Sequence, residues 1–153
     1  MKTTNNIHSE IEKFEPVFTI GTVARKLKVA VQTVRMYEQE GLVLPYKTST
    51  GRRLYSLHDL ERLHCIRQMI VEHGLNIQGI KSLMALLPCW DYMGGVDKDC
   101  ETCPVYNGLH APCWSVREVG HKCQVQDCRE CVVYRLPVSC NTLKSIIYKR
   151  EDD

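Results

Sequence analysis

No apolar run in this 153-residue chain approaches the ~20 residues that a helix needs to cross a bilayer. The opening MKTTNNIHSEIEKFEP has an early lysine but no apolar core, so it does not read as a signal peptide. A cytoplasmic protein with no membrane partner is therefore expected. The chain also lacks a recognisable Ser/His/Asp arrangement, a glycosidase-like carboxylate pair and a phosphate loop. A non-enzymatic role is expected on that ground, with a redox or metal-handling enzyme as the catalytic alternative.

Net charge is small, +2, but unevenly spread. Residues 17–56 carry seven Lys/Arg against Glu38 and Glu40, a net +5, while residues 89–153 carry eight basic and ten acidic side chains, a net −2. The positive field lies where a phosphate backbone can use it. Cysteine is abundant instead of scarce: nine in all, eight of them between Cys89 and Cys140. Without an export signal the thiols stay reduced, so metal or cluster ligation is favoured over a disulfide scaffold, with reactive disulfide switching as the main competitor.

Taken in order, residues 1–16 are polar, end in Pro16 and read as a flexible arm. Thr19 can cap a helix whose apolar face is Ile20, Val23, Ala24 and Leu27, with Phe18 and Val23 at the positions of a hydrophobic staple. A short turn leads to Ala30–Leu42, AVQTVRMYEQEGL, in which Val31, Val34 and Leu42 can pack inward and Gln32, Thr33, Arg35, Met36 and Gln39 outward. Tyr37 suits either face, and Gly41 can adopt the left-handed conformation that ends a helix. Two such helices form a helix-turn-helix whose second member can enter the major groove.

Leu44–Tyr55, LPYKTSTGRRLY, reads as a hairpin wing presenting Arg52 and Arg53 to phosphates. Ser56 and Asp59 have capping-box spacing, and Leu57, Leu60, Leu63, Ile66 and Ile70 continue a helical face that Gly74 ends. Asn76 can cap a further helix containing Ile80, Leu83, Met84 and Leu87. Composition changes abruptly at Pro88 and Cys89, which places the domain boundary there: residues 17–88 form one domain, residues 89–140 a cysteine-rich one, and residues 141–153 a C-terminal helix or tail.

FTIGTVARKL, TVRMYEQEGL, GRRLYSLHDLERL and GLNIQGIKSLM, in that order, resemble the MerR family of bacterial regulators, and its heat-shock-repressor-like branch in particular. The resemblance implies a mainly α fold built on a winged helix-turn-helix, binding a palindromic operator as a homodimer and distorting the DNA. It makes double-stranded promoter DNA the expected partner, with RNA polymerase as a further one. It also implies Thr33, Arg35 and Tyr37 on the recognition helix, with Arg52, Arg53 and Tyr55 on the wing, as DNA contacts. Two residues depart from the pattern: Lys28 stands where the inter-helix turn often has glycine, and Ala30 where a capping side chain is common. The long helix that usually pairs two subunits is not visible, and cysteine-rich sequence takes its place.

That sequence contains an approximate repeat. Cys89-Trp90 leads to Cys100-x-x-Cys103-Pro-Val-Tyr106, and Cys113-Trp114 leads to Cys128-x-x-Cys131-Val-Val-Tyr134. Each copy is too short to build its own core, so a ligated metal would supply the missing stability. Each C-x-x-C can place two thiolates on one ion or cluster, and Cys89, Cys113, Cys123 and Cys140 can complete the shell. The two tryptophans are expected to pack over the ligand site, His121 to be a surface side chain and Cys65 an ordinary helix residue. The pattern resembles the cysteine-tryptophan repeat module often called two-CW. Zn2+ would make the module a structural prop, whereas an iron-sulfur cluster, the favoured cofactor, would make it a redox or oxygen sensor.

Overall fold

The structure, a computed structural model, describes residues 12–116, 119–124 and 127–136. It is mainly helical, and it divides into two compact units, one running to Cys65 and the other beginning at Ile66.

In the first unit residues 12–14 are helical, and a two-residue strand, β1 (Phe18–Thr19), then leads into helix α1 (Ile20–Leu27). Thr19 caps α1 through its hydroxyl, which accepts from the Thr22 amide at 3.3 Å. At the other end Lys28 sits in the left-handed region at φ 56°, and the bonds from Val29 N–H to the Ala24 carbonyl and from Lys28 N–H to the Arg25 carbonyl close a Schellman turn. Lys28 is the one non-glycine residue with positive φ among the described residues, so the departure seen in the sequence is a point of backbone strain. Helix α2 (Val31–Gln39) follows, and its N-cap Ala30 makes no side-chain cap bond. Gly41 ends the stretch at φ 73°.

The wing forms as expected. Strands β2 (Tyr46–Lys47) and β3 (Arg53–Tyr55) pair antiparallel, with Lys47 opposite Arg53. Thr48 organises the tip, its hydroxyl accepting from the Arg52 amide at 3.1 Å and its carbonyl from Gly51 at 2.9 Å. What the sequence did not disclose is that β1 also pairs with β3, Phe18 opposite Tyr55, giving a three-stranded sheet of order β1-β3-β2. Val23, Ala24, Leu27, Val34, Tyr37, Leu42, Val43, Tyr55 and Leu63 make the apolar core.

Helix α3 (Leu57–Val71) starts at a complete capping box: Ser56 N–H donates to the Asp59 carboxylate at 2.8 Å and Asp59 N–H to the Ser56 hydroxyl at 3.1 Å. Both residues are buried, which turns that side of the first turn inward. The buried stripe therefore runs through His58, Asp59, Arg62, Leu63, Cys65, Ile66 and Met69, and Leu57, expected on the apolar face, is 42% exposed.

In the second unit Gly74, at φ 67°, closes the turn after α3. Asn76 caps α4 (Ile77–Ala85) by accepting from Gly79 N–H at 2.7 Å. Ile80, Met84 and Leu87 are buried. Four short helices follow: α5 (Cys89–Tyr92), α6 (Lys98–Thr102), α7 (His121–Gln124) and α8 (Val132–Arg135), with single 3-10 turns at Cys113–Ser115 and Cys128–Glu130. The compact units part within α3, upstream of the composition change at residues 88–89. One bond that groups α4 with the cysteine-rich stretch is the Gln78 side-chain amide donating to the His110 carbonyl at 3.2 Å. Residues 141–153 and Cys140 lie outside the described residues.

Candidate nucleic-acid interface and thiol sites

Helix α2 presents one face to solvent. Gln32, Arg35, Met36 and Gln39 are exposed, Thr33 is half-buried, and the opposite face sets Val34 and Tyr37 into the core. On the wing Tyr46, Lys47 and Arg52 are exposed, and Arg25, Lys26 and Lys28 project from α1 and the turn after it. These side chains give the first unit a run of cations beside a helix whose outward residues are polar, a combination suited to a polyanion.

Two of the expected DNA contacts are buried: Tyr37 is 4% exposed and Tyr55 0%, so in this structure their rings are part of the core. The Tyr55 hydroxyl makes no hydrogen bond, and burial pushes its ionisation above the ordinary tyrosine range. Arg53 is differently engaged: its Nε donates to the Glu38 carboxylate at 2.7 Å, joining β3 to α2. That bond, and the charge of Glu38 behind it, raises the Arg53 pKa and makes Arg53 a positioning residue for the wing. Tyr46 and Lys47, exposed on β2, were not among the expected contacts, since a two-residue strand is too short for its faces to be assigned from sequence.

The cysteine-rich stretch shows its repeat as geometry. Trp90 meets Tyr106 edge-on with ring centroids 5.2 Å apart, and Trp114 meets Tyr134 in the same way at 5.3 Å, both pairs at 85°. Each pair borders a cavity. The first, about 40 Å³, is lined by Cys89, Cys100, Cys103 and Cys123 together with Trp90 and Tyr106. The second, about 320 Å³, is lined by Cys113, Cys123, Cys128 and Cys131 with Trp114 and Tyr134.

Every cysteine among the described residues is a free thiol. Burial, followed by the neighbouring Cys123, Cys103 and Cys100 sulfurs, pushes Cys89 up to about 11. Burial and the sulfurs of Cys89, Cys123, Cys131 and Cys128 push Cys113 up to about 12, and Cys128 is raised chiefly by burial. Such thiols are protonated at neutral pH and attack disulfides slowly, which weighs against spontaneous disulfide switching. A soft cation would displace their protons, and half-buried thiols grouped in this way fit Zn2+ or an iron-sulfur cluster, with Asp97 and Asp99 also on the wall of the first cavity. Among the described residues no three potential ligands stand close enough to hold an ion, so loading would draw the sulfurs inward. Nothing is described of the His121 side chain.

The first unit thus contains a winged helix-turn-helix with a solvent-facing second helix. Residues 18–87 match the profile of the MerR HTH family of regulatory proteins. Among curated relatives, HspR of Streptomyces coelicolor, named as a heat shock protein, is 35% identical over 77 residues, covering 50% of this chain and 51% of its own. The transcriptional regulator GlnR of Bacillus anthracis is 34% identical over 77 residues, covering 50% of this chain and 59% of its own. The mercuric resistance operon regulatory protein of Bacillus cereus is 37% identical over 87 residues, covering 56% and 58%. The chain spans about half the length of these relatives. They are named as regulators or as a heat shock protein, not as enzymes. Among the described residues no helix is long and apolar enough to cross a membrane.

Proposed function

We propose that the protein is a DNA-binding transcription regulator: residues 17–88 bind promoter DNA as a homodimer, and residues 89–140 sense redox or metal state through an iron-sulfur cluster. The observation that carries the DNA half is the exposed polar face of α2 beside the cationic wing, within the stretch that matches the MerR HTH profile. Thr33 and Arg35 reach base edges or phosphates, Arg52 reaches phosphate, and Arg53 holds the wing against α2 through Glu38. The sensing half is supported by the 320 Å³ cavity with cysteines on its walls, large enough for a polyatomic group. Changes at that cavity reach α4 through the Gln78 to His110 bond. The expected consequence is an altered presentation of the paired reading helices to DNA and, through it, to RNA polymerase.

Binding to a promoter fragment should fall steeply with salt, and the Arg35→Ala, Arg52→Ala double variant should bind at least tenfold more weakly with a shallower salt slope. Specific binding that survived loss of both arginines would overturn the interface. Anaerobic purification followed by an absorption spectrum and iron, sulfide and zinc analysis tests the sensor, and a colourless protein with zinc alone would remove the cluster.

A further inference from the structure

The two repeats are not equal in length. Cys89 and Cys100 are 11 positions apart, Cys113 and Cys128 are 15 apart, and Cys123 lies within the longer interval. By sequence Cys123 belongs to the second repeat. In the structure it reaches the cavity of the first, where Cys89, Cys100 and Cys103 supply three thiols.

Gly120 is what permits this. It is buried, and a Cβ built on it would lie 2.8 Å from the Asp99 carbonyl oxygen and 3.0 Å from the Asp99 Cβ. Only a glycine lets the backbone come so close to α6, the helix that carries Cys100. The turn starting α7 is then fixed by Cys123 N–H donating to the Gly120 carbonyl at 2.9 Å. Asp99 and Gly120 line the same small cavity as the four cysteines.

No three of these sulfurs stand close enough to hold an ion as they lie, and we propose that Cys89, Cys100, Cys103 and Cys123 close around zinc as a site of their own, the second repeat donating the fourth thiolate to the first. Four thiolates around one ion is the closed tetrahedral set of a structural zinc centre. Size separates this site from its neighbour. One water needs roughly 10–15 Å³ of such space. The 40 Å³ cavity thus suits a single ion, and the 320 Å³ cavity has eightfold more room. Asp97, also on the small cavity, is already engaged, its carboxylate accepting from the Asp99 amide at 3.0 Å and from the Cys100 thiol at 3.6 Å. Cys123 borders both cavities, so its ligation to the first leaves the second to Cys113, Cys128 and Cys131 and their further partner. The separation of two centres rests on the cluster reading above; the four-thiolate site does not.

The test uses the full chain, purified anaerobically and analysed for zinc and iron as wild type, Cys123→Ser, Cys100→Ser, Gly120→Ala and Cys128→Ser. About one zinc per chain is expected in the wild type, with at least a tenfold loss in the first three variants and retention in Cys128→Ser. Iron and visible absorbance should show the reverse pattern. Gly120→Ala is the sharpest arm because it removes no sulfur. Cobalt(II) titration of the demetallated chain gives a second readout, with affinity at least tenfold weaker in Cys123→Ser even if that variant is less well folded. Wild-type zinc content in Cys123→Ser, or joint loss of zinc and iron in every variant, overturns the proposal. If the zinc pattern holds and no iron is found anywhere, the cluster reading fails and this site stands. Absence of zinc from the wild type removes this site whatever the iron content.

Discussion

Between β1 and the middle of α3, nine apolar side chains from Val23 to Leu63 are almost wholly removed from water, and Thr19 and the Ser56–Asp59 box tie two helix starts. Among the described residues of 89–136 the buried apolar side chains are Pro112, Trp114, Val133 and Tyr134, and the helices there are four or five residues long. Burial is worth roughly 1.5–3 kcal/mol per large side chain. The first region can therefore hold itself together by a core, whereas the second has too little apolar area to offset the entropy of ordering its chain. On the function proposed above, metal bound by the seven thiols around the two cavities would supply the missing order.

The largest effect that can break this contrast is metal removal. A strong chelator should render residues 89–136 susceptible to protease while the 18–65 fragment survives, since structural zinc binding contributes about 10–16 kcal/mol coupled to folding. Equal protection of both regions after chelation would sink the contrast. Next comes Leu42→Ala, which leaves a void in the first core and should lower its stability by about 2–5 kcal/mol in denaturant titration without altering metal content.

Smaller gains are expected where the sequence departs from the pattern it resembles. Lys28→Gly relieves a left-handed backbone and Ala30→Ser supplies the absent cap of α2, each raising the denaturation midpoint by the equivalent of about 1 kcal/mol. Smallest of all is Tyr55→Phe, which deletes a buried hydroxyl that has no partner. Stability should be unchanged or higher by under about 1 kcal/mol, and DNA affinity should not move. A loss of affinity would return Tyr55 to the interface.

What the sequence made legible follows the range of the forces involved. Thr19, the Ser56–Asp59 box, Asn76, Gly41 and Gly74 act within a few residues of themselves, and each is found in the expected role. Strand β1 is two residues long and has no period to detect. Tyr37 and Tyr55 carry both an apolar ring and a polar tip, so residue type alone leaves the face open, and packing decided it. Leu57 was placed by counting apolar positions, but the buried carboxylate of Asp59 turned the first turn the other way. Cys123 illustrates the limit most clearly: its repeat membership is a sequence fact, and its neighbours are set by Gly120 meeting Asp99 across 21 positions.

That close approach also imposes an order in time. During synthesis Cys89, Cys100 and Cys103 leave the ribosome well before Gly120 and Cys123, so the first pocket waits as a three-thiol claw until the later repeat arrives to shut it. The last loop to be made acts as the latch on the first, and an interrupted chain would leave its earliest cysteines open to any passing soft metal.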